Sequence, residues 1–358
     1  MVPGLGPLSF GWLVSDLGTP RTVLAEPAKA EAVLLAHGFA QERARAVRRV
    51  LEDRSTREPD IKGDFLIIPD PEYPALLRET YAPPPVVFLR GRRDALQGPA
   101  VAIVGARHPT PYGTRVARDL ARDLAAAGVL VVSGLARGID AEAHRGALAA
   151  GGKTVAVLGC GVDRYYPPEH SALCDEIEAQ GACISEFAWG TPPLQANFPQ
   201  RNRVIAGMSL ATVVVEAGDK SGALITANHA LQENRLVGAV PGPVYSPLSA
   251  GTHKLLRDGA LLVRDAGDIL HELESLLPRS FLSPPAGSGE NRVSPEVAPA
   301  SGDSPRGRLL QSIGFTPIHG DALAAGLGLS PRAVSTLLFE LELDGLVRKL
   351  PGGYYVRT

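Results

Sequence analysis

The chain has 358 residues, enough for two or three domains, and 45% of them are hydrophobic against 21% charged, the balance of an ordinary globular protein. Lysine and arginine together number 36 against 38 aspartates and glutamates, a net charge of -2. That excludes a uniformly basic nucleic-acid binder, so a polyanion site has to be a local cluster of cations. Cys160, Cys174 and Cys183 are odd in number and lack CxxC spacing. They predict neither a zinc site nor a disulfide framework and fit a reducing cytosol. Met1 to Phe10 lacks a basic leader followed by a long apolar run, so no signal peptide is expected, nor is any stretch apolar enough to span a membrane.

Residues 1–58 read as a small helical module of the sterile-alpha-motif or helix-hairpin-helix kind. Leu8–Leu13 and Ala28–His37 carry helical apolar spacing, Gly18-Thr19-Pro20 and His37-Gly38-Phe39 are turn signals, and Gln41–Arg54 is a further helix with Arg43, Arg45, Arg48 and Arg49 on it. Those arginines are either a DNA-backbone contact or a solvated face of an interaction domain. Residues 59–277 then alternate strands and helices. The expected strands are Phe65–Ile68, Val86–Leu89, Ala100–Val104, Leu130–Ser133, Thr154–Leu158, Ala182–Ser185, Ala211–Val215, Leu236–Val240 and Ala260–Val263. The expected helices are Gly113–Ala127, Ala141–Ala150, Pro168–Gln180, Ala223–Gln232 and Gly251–Asp258. Several strands are apolar throughout, as when helices cover both sheet faces. The fold class is α/β, a Rossmann-like doubly wound sheet.

Residues 278–305 are rich in Pro, Ser and Gly and read as a linker. Residues 306–358 give helices at Leu309–Ile313 and Gly320–Leu327, a third opened by Ser330-Pro331, and a hairpin turning at Pro351-Gly352-Gly353. That order predicts a winged helix. Its six cations against four acids leave only +2, and its third helix holds Arg332 alone. Protein contact and DNA contact stand equal for it.

Two loops at predicted strand ends lead into helices: Gly105-Ala106-Arg107 and Ser133-Gly134-Leu135-Ala136-Arg137-Gly138. Helix N-termini offer unpaired N–H groups to anions. Neither loop is GxGxxG, and no GxxxxGK[ST] occurs, so dinucleotide and P-loop chemistry are not expected. Each loop adds an arginine, which suits a polyanion. Asp140 is read as a helix cap and Glu142 and His144 as exposed polar side chains, rather than as metal ligands. Asn197-Phe198-Pro199-Gln200-Arg201-Asn202-Arg203 puts an aromatic, cations and amides together, the combination that single strands need. The competing reading has Phe198 packed inward and Arg203 in an internal ion pair. A third junction, Glu216 to Thr226, adds Lys220 to the rim. Its Glu216 is either a general base or, as we prefer, the group that holds a rim arginine.

VAIVGARHPTPYG, VVSGLARGIDAEAH, NFPQRNRVIAG, KSGALITANHAL and VPGPVYSPLSAGTHKLLRDGA, in this order, resemble the DNA-processing protein A (DprA/Smf) family over residues 60–270. The resemblance implies an extended Rossmann domain that dimerises, binds single-stranded DNA and loads RecA recombinase onto incoming strands past the single-strand-binding protein. It implies DNA contacts at Gly105, Ala106, Arg107, Phe198, Gln200, Arg201, Asn202, Arg203, Lys220 and Lys254, with no cofactor and no catalysis. Ala106 replaces the family's usual serine and Gln200 a usual basic residue, which lowers the expected affinity. The alternative is a Rossmann-like enzyme that cleaves nucleotide N-glycosidic bonds, but Ala217-Gly218-Asp219-Lys220-Ser221 stands where such enzymes carry a PGGxGT-type loop.

Overall fold

The computed structural model describes residues 6–18, 20–53, 63–274, 305–314, 318–350 and 352–357. The 278–305 linker reading therefore lies outside the described residues, apart from its last position. Two compact units form: Met1–His108 with Val116–Leu282, and Pro109–Arg115 with Ser283–Thr358.

Four helices open the first unit: α1 (Pro7–Leu17), α2 (Pro20–Ala25), α3 (Pro27–Ala36) and α4 (Gln41–Glu52). They close a small core of their own around Leu13, Val23, Leu34, Val47 and Leu51. On α4, Arg48 pairs with Glu31 and Glu52, so part of that arginine face is occupied by intramolecular ion pairs.

The large sheet follows. Its strands are β1 (Asp64–Ile67), β2 (Val86–Gly91), β3 (Ala100–Val104), β4 (Leu130–Ser133), β5 (Thr154–Val157), β6 (Ala182–Ser185), β7 (Ala211–Val214), β8 (Leu236–Ala239) and β9 (Leu261–Leu262). The helices between them are α5 (Ala75–Arg78), α6 (Pro111–Ala126), α7 (Ile139–Ala149), α8 (Ser171–Gln180), α9 (Asn197–Gly207), α10 (Gly222–Gln232), α11 (Ala250–Arg257) and, at the end, α12 (Ala266–Glu274). The spatial order is β1-β2-β6-β5-β4-β3-β7-β8-β9. From β6 to β9 every pairing is parallel, while β1 and β2 run antiparallel at one edge. Along β5, Val155 and Val157 enter one apolar cluster and Ala156 the other. Helices therefore cover both faces, as the unbroken apolar runs require. All nine expected strands are present, within two residues at each end.

The topology has one decisive point. From β3 the chain winds outward through β4, β5 and β6, then returns to place β7 on the other side of β3. Loops at the carboxyl ends of β3 and β7 therefore diverge and leave a crevice between them, the usual ligand position in an open parallel sheet.

The second unit carries α13 (Pro305–Ser312), β10 (Ile318–His319), α14 (Gly320–Leu327), α15 (Pro331–Leu343), β11 (Val347–Leu350) and β12 (Tyr354–Arg357). Ser330 caps α15 by accepting from the Ala333 N–H at 3.3 Å. Leu309, Leu323, Val334, Leu338, Leu341 and Val347 form its core, and the three strands order as β10-β12-β11. This is the expected winged helix, with the short β10 added. Among the described residues no single helix is long and apolar enough to cross a membrane.

Candidate nucleic-acid interface

A cavity of about 670 Å³ opens at the β3/β7 crevice. Its wall takes Gly105 and Arg107 from the loop after β3, Ala136 and Asp140 from the segment after β4, and Tyr166 from the loop after β5. Phe198, Arg201, Asn202 and Ile205 come from α9, and Ser221 to Ala223, Ile225 and Thr226 from the start of α10.

Gly105 is required by packing. A Cβ there would stand 2.7 Å from Ile139 and 3.0 Å from the Glu216 carbonyl. Arg107 next projects into solvent, and among the described residues it makes no ion pair or hydrogen bond. Arg137, on the second loop, differs: its guanidinium is bonded to Glu169. Ala106 is buried and does not line the cavity.

The segment expected to offer a stacking surface, for which no secondary structure was expected, is the helix α9. Its Pro199 falls in the first turn, where the missing N–H would have no partner anyway. Helical phase then sorts its side chains. Positions 198, 201, 202 and 205 share one face and look into the cavity, whereas Gln200 and Arg203 face away from it. Arg203 is bonded to the buried Glu186 and to the Ala82 carbonyl, so the internal ion pair weighed in the sequence exists. Phe198 is half-buried rather than packed inward. Its ring lies 5.4 Å from that of Tyr166 and 5.9 Å from the Arg201 guanidinium. Gly159 permits this position, since a Cβ there would meet the Phe198 ring at 2.8 Å.

Arg201 is only 5% exposed. It donates to the Gly134 carbonyl at 2.7 Å and to the Val157 carbonyl. Burial pulls its guanidinium down to about 10, opposed by Asp140, so it stays charged at neutral pH. Gly134 has no room for a side chain, because a Cβ would meet the guanidinium at 2.7 Å. Asp140 corrects the capping expectation. The residue that caps α7 is Gly138, at φ +75°, and the Asp140 carboxylate turns back to accept from the Gly134 and Ala136 N–H groups. Burial pushes that carboxyl up, opposed by Arg201. Glu142 and His144 are likewise buried, not surface polar groups: Glu142 pairs with Arg118 and Arg145, and His144 lies against Thr154. At α10, Ser221 caps the helix by accepting from the Ala223 N–H, so that N-terminus faces the cavity. Glu216 is buried beneath.

Lys220 and Lys254 line a neighbouring recess of about 530 Å³ that shares Ser221 and Ile225 with the main cavity. The sequence reading missed Tyr166 and Asp140 as wall residues. The Tyr165-Tyr166-Pro167-Pro168 run was the available signal for the first.

The sequence profile of the DNA recombination-mediator protein A family matches residues 64–274, and that of the DprA winged helix domain matches residues 293–353. The chain belongs to the DNA recombination-mediator protein A family. Among its relatives, Protein Smf of Synechocystis is 37% identical over 86% of this chain and 82% of its own length. Protein Smf of Escherichia coli is 41% identical over 79% of this chain and 74% of its own. The DNA processing protein DprA of Streptococcus pneumoniae is 42% identical over 56% of this chain and 71% of its own. A crystal structure of Streptococcus pneumoniae DprA superposes with a TM-score of 0.67 at 33% identity, covering 75% of this chain and 94% of that one. Helicobacter pylori DNA processing protein A, described for a unique single-stranded DNA binding mode, superposes at 0.55 and 28% identity over 61% of this chain and 99% of that one. Family membership thus rests on both the sheet domain and the winged helix.

Proposed function

We propose that the β3/β7 cavity binds single-stranded DNA without reading its sequence, and that the protein passes the strand to RecA recombinase, displacing single-strand-binding protein, during transformation and recombination. One observation carries the reading: the exposed Arg107, without an ion pair or hydrogen bond among the described residues, lines a cavity whose wall also holds the paired rings of Phe198 and Tyr166. A phosphate meets Arg107 and the α10 N-terminus while a base meets the aromatic pair. Stacking tolerates every base. The strand continues from the cavity toward Lys220 and Lys254 in the adjoining recess. The single-stranded DNA binding described for the Helicobacter pylori relative supports this reading.

The working form is a cytosolic homodimer that needs no cofactor and turns over no substrate. Asp140 is the one carboxylate on the cavity wall among the described residues, and loop N–H groups already engage it. A nucleophile with a neighbouring base, as N-glycosidic cleavage needs, is not part of that wall.

The test is fluorescence anisotropy with labelled single-stranded and duplex oligonucleotides of one sequence over a salt series, followed by RecA filament assembly on strands coated with single-strand-binding protein. The reading requires preference for single strands, affinity falling with salt, and faster filament growth. Equal affinity for duplex and single strand sinks the DNA assignment, and unchanged filament growth sinks the loading assignment.

A further inference from the structure

The three cysteines of the chain, which lie in different elements, fall into one apolar cluster around α8. Two of them touch. Cys174 on α8 and Cys183 on β6 bring their Sγ atoms to 3.0 Å, both fully buried. Glu178, one helical turn after Cys174, joins them: one donor atom from each of these three residues lies within 4.8 Å of the other two. The Glu178 carboxylate is also held by the Arg90 guanidinium at 2.9 Å, from the strand paired with β6. Neither the phosphate cavity nor the strand path uses any of these groups.

We infer that Cys174, Cys183 and Glu178 form a binding site for a single thiophilic divalent cation of the zinc or cadmium type. Two sulfurs select a soft or borderline ion over magnesium or calcium. In a tetrahedral site with metal–sulfur bonds of about 2.3 Å the sulfurs stand about 3.8 Å apart, so the pair opens by less than an ångström. As each sulfur bonds the ion its thiol proton leaves to solvent, and no electron is transferred. Two thiolates and a carboxylate then carry three negative charges against the ion's two positive ones, and Arg90 supplies the balancing charge while orienting the carboxylate. The Glu178 side chain keeps 15% exposure, which gives the ion its way in from the surface. Bound there, the ion ties α8 to β6. The spacing of the cysteines hid this arrangement, because one ligand comes from a helix and the other from a strand nine residues later. The inference is independent of the DNA reading.

The experiment titrates the reduced, chelator-stripped full chain with cadmium, followed by its thiolate-to-metal charge-transfer absorption and by native mass spectrometry. The expected result is one cadmium per chain. Cys174→Ala and Cys183→Ala lose the band, Cys160→Ala keeps it, and Glu178→Gln weakens binding by at least tenfold. Thermal melts establish which variants fold. Glu178 is partly exposed, so its variant carries the test if the cysteine variants do not fold. No band in the reduced wild type, a band that survives in folded Cys174→Ala, or one lost in Cys160→Ala overturns the assignment. So does a preparation in which Cys174 and Cys183 form a disulfide but bind no cadmium once reduced.

Discussion

Replacing Arg107 by alanine isolates the contact on which the DNA reading depends. The side chain is exposed, lies on a loop and makes no bond to the described residues, so its removal leaves neither a cavity nor an unpaired partner. The melting temperature therefore stays at the wild-type value. A hydrogen bond to a charged group contributes about 1.5–3 kcal/mol. The Arg107 contact belongs at the lower end because water competes for it, and about 1.4 kcal/mol is a tenfold change in affinity. A second signature is independent of the first. Each neutralised phosphate on a single strand contributes about -0.7 to the slope of log affinity against log salt, so the variant's slope is shallower by about that amount. Anisotropy titrations of a labelled single strand at several salt concentrations read both quantities. A folded variant with wild-type affinity and wild-type slope refutes the placement of phosphate at Arg107, and with it the cavity as the DNA site.

Arg203→Ala gives the opposite pattern. It strands Glu186, whose carboxyl burial already pushes up, and costs on the order of 3 kcal/mol of stability in chemical denaturation while single-strand affinity holds below the melt; a loss of affinity in the folded protein moves the strand to that face of α9. His144 makes stability sensitive to acid. Burial, with the nearby His170 and Arg201, pulls it down to about 3, so the unfolded chain takes up the proton first, and stability present above pH 6.5 declines by up to about 1.4 kcal/mol per pH unit as the pH falls toward 3. Denaturation at pH 7 and pH 5 measures this for the wild type and His144→Leu, and an identical difference in both discards the assignment. Gly159→Ala drives a Cβ into the Phe198 ring and reduces single-strand affinity several-fold, whereas unchanged binding shows that the ring does not stack on bases. Residues 1–277 alone retain single-strand affinity within tenfold, because every cavity residue lies between Val104 and Thr226; a hundredfold loss puts the main DNA site in the winged helix.

The parallel sheet was legible because strands buried on both faces are apolar almost throughout, and runs such as Ala100–Val104 admit few other readings. The site was legible as a set of loops but not as a surface. Arg201 and Arg203 are identical in type and two residues apart, yet helical phase sends one into the cavity floor and the other to Glu186. Reading that phase requires knowing that residues 197–207 are helical, and Pro199 with two nearby asparagines conceals it. Burial is the second gap. Asp140, Glu142 and His144 look like surface polar groups until the packing of α7 against the sheet encloses them.

Under the proposed single-strand role, the way Arg201 is held has a consequence for the rates at which strands arrive and leave. Its guanidinium is already fixed to the ends of β4 and β5 before any ligand arrives, in a space that the missing side chain of Gly134 leaves open. The floor therefore loses almost no side-chain freedom on binding, and the ordering cost falls on the DNA, which must give up the flexibility of a single strand. A rigid receptor and a floppy ligand make arrival insensitive to protein motion and place affinity differences between strands of the same charge in their residence time.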